Sequence, residues 1–142
     1  MKPIAHPTIY FENAAGRLLE DPAGFLRAHW SRNARQPGDA RALFTHIRHA
    51  LQRHDWSRVL INQVGMIPFS PAEQQWVAQE WLPVAVQAGY RHGAIVVSPD
   101  VMVRLATAYI TTQVHGMPLV YRSFEGEAEA IAWLLQQPRA AQ

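Results

Sequence analysis

Val59-Leu60-Ile61-Asn62-Gln63 is followed by Ser70-Pro71-Ala72-Glu73 and then by Ala94-Ile95-Val96-Val97. The first and third runs are short, continuously apolar and rich in β-branched residues, the pattern of strands buried on both faces. Between them Ser70 offers a cap, Pro71 suits the first helical position and Glu73 stands three after the cap, so a helix starts there. It is expected to run to Ala88, with Gly89 as its stop. Pro83 lies inside it and predicts a kink, because proline has no N–H for the helical ladder. Strand, helix and strand at this spacing form a βαβ unit, and its right-handed crossover makes the two strands parallel.

The same reading extends outward. Downstream, Ser98-Pro99-Asp100 opens a helix to about Val114, closed by His115-Gly116, and a strand follows over Leu119 to Phe124. Glu127 to Gln137 is a last helix, ended by Pro138. Upstream, Thr8 to Glu12 alternates, with Ile9 and Phe11 on one face and Tyr10 on the other. Arg17 to Glu20 and Phe25 to Trp30 follow, separated by the turns Asn13-Ala14-Ala15-Gly16 and Asp21-Pro22-Ala23-Gly24, so an antiparallel meander is predicted. After a polar loop over residues 31–38, Asp39 caps a helix to about His54, whose Leu43, Phe44, Ile47, Ala50 and Leu51 form one stripe. The order is βββαβαβαβα: an α/β fold with a mixed sheet and about four helices. Residues 8–137 form one domain, with flexible tails expected at 1–7 and 138–142.

Composition narrows the chemistry. The 142 residues are 49% hydrophobic and 17% charged, a globular balance. Absence of cysteine excludes disulfides, thiol nucleophiles and thiolate metal sites. A formal charge of +2 is too small for a nucleic-acid-binding surface. There is no apolar run long enough for a signal peptide or a membrane span, so a bacterial cytoplasmic protein is the expectation.

Ligands of open parallel sheets gather beyond the carboxyl ends of the strands. Three such ends supply Asn62 and Gln63, Ser98 and Asp100, and Arg122 and Ser123. Helix starts at Ser70 and Ser98 would add free backbone N–H groups. These residues are candidates for an anion or partner site, although capping and strand ending account for the same residue types. His46 and His49 lie three apart on a helix, but beside Arg48 and Arg53 and without a third ligand, so they are assigned to a solvated face and no metal is expected. No phosphate-cradling loop, nucleophile elbow or metalloprotease motif is present, and neither a catalytic set nor a cofactor is expected. The carboxylates Glu125, Glu127 and Glu129 suit the positive start of the last helix.

The tryptophans carry a different signal. In the Ser70 helix Val77, Trp81, Val84 and Ala88 share a face assigned to the sheet. Trp76 lies off that face, Leu82 and Val86 lie nearly opposite it, and Trp133 falls away from Ala128, Ile131 and Leu135. A helix apolar on two sides is either deeply buried or in contact with something else, here a second copy, a protein partner or a small apolar ligand. A rotation at Pro83 that buries Leu82 and Val86 locally is the competing explanation.

Ser70-Pro71-Ala72-Glu73 with Trp76, Trp81-Leu82-Pro83, Gly89-Tyr90-Arg91, Ala94 to Val97, Phe124, Glu129-Ala130 and Trp133-Leu134 together resemble the STAS-like domains of small stand-alone bacterial proteins. That group is related in fold to anti-sigma-factor antagonists, and the likeness covers residues 8–136. It implies a non-catalytic module that binds protein partners. Some members are switched by phosphorylation of a Ser or Thr at a helix N-terminus, and the resemblance makes Ser70 the nearest equivalent. This chain lacks the Asp-Ser-Ser/Thr-Gly run of the antagonists, and Asn62 stands where relatives often carry Asp. Lipid-binding proteins of related topology imply the alternative, a small apolar ligand between helices and sheet.

Overall fold

A computed structural model of the chain describes residues 6–141. The strands are β1 (Thr8–Asn13), β2 (Gly16–Asp21), β3 (Phe25–Trp30), β4 (Arg58–Asn62), β5 (His92–Val96) and β6 (Val120–Phe124). The helices are α1 (Pro37–His54), α2 (Pro71–Trp76), α3 (Leu82–Gln87), α4 (Val101–Thr112) and α5 (Glu127–Leu135). A π turn over Val77–Trp81 joins α2 to α3 in one continuous rod, so the described residues form four helical bodies. The six strands lie side by side in chain order; β1–β2–β3 are antiparallel and β3–β4–β5–β6 are parallel. The mixed α/β architecture and its element order are those the sequence predicts.

Two cores flank the sheet. Leu26, Ala28 and Trp30 of β3 and Val59 of β4 pack toward α1, the π turn and α4, together with Leu43, Ile47, Leu51, Trp81 and Val103. Phe25 of β3, Leu60 of β4 and Ala94 and Val96 of β5 face the other way, against Ala130 and Leu134 of α5. Strand side chains alternate between faces, so one run such as Val59-Leu60 serves both cores.

Four local readings need correction. Tyr10 is the extra residue of a β-bulge between Ile9 and Phe11, so Tyr10 and Phe11 both pack toward α1 and Ile9 is exposed. A bulge breaks the period of two, and simple alternation then fails. Helix α1 starts at Pro37, and Asp39 is its third residue: the Asp39 carboxylate accepts from the Gln36 N–H at 2.7 Å. At α4 the cap is Asp100, accepting from the Met102 N–H at 2.8 Å, whereas Ser98 Oγ accepts from the Asp100 N–H.

The fourth concerns the outer face of the Ser70 helix, where the competing explanation, a rotation near Pro83 that buries Leu82 and Val86, is the one observed. Pro83 is accommodated by the π turn, in which the Leu82 N–H donates five residues back to the Val77 carbonyl. The extra residue in that turn advances the helical phase by one position. The buried face therefore passes from Val77, Ala78 and Trp81 to Leu82 and Ala85, and Val84 is turned out to solvent. Leu82 is a core residue and is unavailable to an outer interface. Val86 is half-buried against the same core.

Pro138 and Arg139, after the last helix, are hydrogen-bonded to Ser57. Ser57 Oγ donates to the Pro138 carbonyl at 2.6 Å and the Ser57 N–H to the Arg139 carbonyl at 2.9 Å. The expected N-terminal tail falls mainly on residues 1–5, outside the described residues.

Candidate functional site

Alternation along the parallel strands sends the predicted site residues to opposite faces. Gln63 is buried on the α4 side, where its Oε1 accepts from Thr107 Oγ1 at 3.1 Å. Asn62 faces the α5 side: its Nδ2 donates to Glu127 Oε2 at 2.9 Å and its Oδ1 accepts from the Val64 N–H. Glu127 Oε1 in turn accepts from Arg27 Nη1, and Arg27 Nε donates to Asp21 Oδ2, both at 2.8 Å. His29 is the register partner of Asn62 in this chain of polar groups. Burial pushes the His29 pKa down, Glu127 partly opposes that, and Arg27 and Arg17 add to the lowering.

Of the remaining strand-end candidates, Ser98 and Asp100 serve the start of α4. Ser98 is buried, and its carbonyl accepts from Arg104 Nε. Arg122 is exposed, with its guanidinium 5.4 Å from the centre of the Phe124 ring. Gln63 and Ser123 meet in a groove of about 330 Å³ between α4 and the ends of β5 and β6, also lined by Arg104, Thr107 and Glu125. Behind it, past Gln63 and Thr107, lies an apolar cavity walled by Trp30, Phe44, Trp81 and Tyr121. That cavity holds about 40 Å³, far below the roughly 300 Å³ at which small-molecule sites begin.

Ser70 is exposed in a separate groove that Arg35 and Arg41 also line. Its Oγ accepts from the Glu73 N–H at 3.1 Å, and Glu73 Oε1 accepts from the Ser70 N–H at 2.8 Å, the reciprocal cap that the sequence predicts. Both Glu73 oxygens also accept from Arg35 at 2.8 Å. Burial pushes the Glu73 carboxyl up, but the hydrogen bonds from Arg35 and Ser70 outweigh it and hold the pKa below the ordinary value. Because the folded value is the lower one, this pair contributes stability that is fully present above about pH 4.3, the unfolded carboxylate value. That contribution is lost as pH falls through the folded value. Glu73→Gln is therefore expected to be less stable than wild type at pH 7, with the gap closing below about pH 4. Urea titrations at a series of pH values measure this, and a gap independent of pH would refute it.

The surplus aromatics have local uses. Trp76 is half-buried, 6.1 Å from Phe44, with the Arg41 guanidinium 5.2 Å above its ring. Trp133 is half-buried between Phe124 at 5.8 Å and His92 at 5.7 Å. His46 is stacked on Phe11 at 3.9 Å with Tyr10 at its edge, so it is not the solvated residue that helical spacing suggests. Burial lowers the His46 pKa, and the neighbouring His49 adds to it. Among the described residues no group of three or more His, Asp or Glu side chains is placed to hold a metal ion, and no helix is long and apolar enough to cross a membrane.

The large unpartnered apolar surface lies on α4, a helix the sequence reading treats only as a connector. Val101, Met102, Leu105 and Tyr109 are 65%, 61%, 59% and 43% exposed. With Ala108 and Thr112, also exposed, they occupy one arc of the helix, while Val103, Ala106 and Ile110 occupy the buried arc. The exposed arc carries no charge over its whole length. Arg104, the one charged residue of α4, lies at its margin, 3.9 Å from Glu125. Solvated helix faces normally carry charged and polar side chains, so this one departs from the rule in the direction of an interface. The signal was present in the sequence as apolar residues on both arcs of residues 101–112.

Comparison of the chain with protein-family models, with curated proteins and with solved structures finds no match.

Proposed function

We propose that this protein is a non-catalytic interaction module of the STAS-like type that docks a protein through the outer face of α4. The uncharged arc Val101–Met102–Leu105–Tyr109 carries the proposal. Fully covering one such aliphatic side chain is worth about 1.5–3 kcal/mol. Three that are more than half exposed leave a large part of that gain to be realised on docking. The polar groups at the strand ends support a structural role, because Asn62, Gln63, Ser98 and Arg27 are already spent on hydrogen bonds within the chain.

The test uses two baits in extract of the source cells, wild type and Leu105→Arg, with self-association of each followed by native mass spectrometry. Wild type is expected to retain a protein partner or to self-associate, and Leu105→Arg to lose that binding at an unchanged thermal midpoint, because Leu105 supports no core. A wild-type protein that stays monomeric and retains nothing would overturn the proposal.

A further inference from the structure

We infer that the occupant of this face is a second copy of the chain, with the two α4 helices antiparallel about a two-fold axis through Leu105. The inference rests on the docking reading of α4 given above and names the partner. A two-fold interface is self-complementary: whatever residue i touches must touch residue i in return. An axis through Leu105 sets Leu105 on its own counterpart, Met102 against Tyr109 of the second copy, and Val101 against Ala108 of the second copy. All four exposed apolar side chains then meet apolar side chains, with large Val101 against small Ala108 as close packing requires. Moving the axis two residues toward the C-terminus sets Met102 against Thr112 and carries Val101 past the end of the facing helix. Antiparallel alignment also brings opposite ends of the helix dipoles together.

Charge permits the pairing. The arc itself is uncharged, so no ionised group is buried without a partner. The axis brings the two Arg104–Glu125 pairs to the same margin in equal numbers of each sign, each pair 3.9 Å apart within its own chain. The area sets the strength. Twelve residues of helix are about 18 Å long, and one such face is smaller than the roughly 800 Å² per partner of a standard interface. The dimer is therefore a weak one, in the micromolar range.

Sedimentation equilibrium is expected to show the mass rising from 16.0 kDa toward twice that value between about 10 and 500 µM. Leu105→Arg is expected to remain monomeric throughout at an unchanged thermal midpoint. The chain has no cysteine, so Leu105→Cys places one thiol on the proposed axis. Mild oxidation is expected to join it into a covalent dimer, whereas Val84→Cys, exposed on α3, stays monomeric under the same conditions. A wild-type monomer at about 500 µM, a dimer unaffected by Leu105→Arg, or equal cross-linking of both cysteine variants overturns the inference. If wild type is monomeric yet retains a partner that Leu105→Arg loses, the self-pairing is wrong and the docking function survives. If it retains none, both fall.

Discussion

Arg58→Met is expected to lower the stability of the domain by about 3–5 kcal/mol. Arg58 opens β4 and is only 4% exposed, yet among the described residues no carboxylate faces its guanidinium. Its Nη1 donates to the carbonyls of Leu134 and Gln137, and its Nη2 to those of Ala23 and Gly24, at 2.9–3.2 Å. The first two belong to the C-terminal end of α5, where the helix dipole offers partial negative charge. Burial lowers the Arg58 pKa, and the nearby Arg139 lowers it further, but a guanidinium stays protonated. Methionine fills the same space without a donor, so the Ala23, Gly24 and Gln137 carbonyls lose the guanidinium, while the Leu134 carbonyl keeps only the Gln137 N–H. Hydrogen bonds to charged groups are worth about 1.5–3 kcal/mol each, and two are fully buried here. The measurement is a urea midpoint with an unchanged slope. Arg58→Lys, with one point charge in place of a fork, should recover only part of the loss. A methionine variant within 1 kcal/mol of wild type would show that water replaces the guanidinium, contrary to this account.

Trp81→Ala is expected to cost about 3–5 kcal/mol, whereas Trp76→Ala should cost roughly 1 kcal/mol. Two tryptophans five positions apart on one helical rod would look interchangeable from composition. Trp81 closes the π turn, is 5% exposed, and sets its ring 4.7 Å from Phe44 and 5.7 Å from Tyr90. Its Nε1 donates to the Phe44 carbonyl at 2.7 Å, which fastens the rod to α1. Truncation removes a large buried ring and leaves a cavity between two helices and the sheet. Trp76 stands one turn earlier, half in solvent under Arg41, where water replaces most of what is lost. Equal losses for the two variants would mean that the π turn does not set the buried face.

The two substitutions separate what local pattern reveals from what it hides. The Ser70–Glu73 cap, the Asp21–Gly24 turn and the strands at Val59 and Ala94 were legible because each depends on residues within a few positions of one another. Capping, turn formation and strand patterning act over that range. The partners of Arg58 lie up to 79 positions away, and nothing near Arg58 in the chain marks a buried guanidinium. The phase shift just before Pro83 was half visible. A proline inside a helix announces an irregularity, but whether the chain bends or inserts a π turn is settled by which face the sheet and α1 need to bury.

The candidate site divides along the same line. That polar residues collect at the ends of β4, β5 and β6 was legible. That Asn62 joins Arg27 and Glu127 on one face while Gln63 meets Thr107 on the other follows from strand register and from α4 and α5 lying on opposite sides. By itself, then, the sequence determined the kind, order and parallel pairing of the elements, since periodicity, capping and crossover handedness are properties of short stretches of chain. Tertiary structure alone decided that Leu82 is core, that Arg58 ties α5 to the β2–β3 turn, and that α4 turns an uncharged apolar arc to solvent. Burial is a relation between elements far apart in sequence, and it exists only once they have packed.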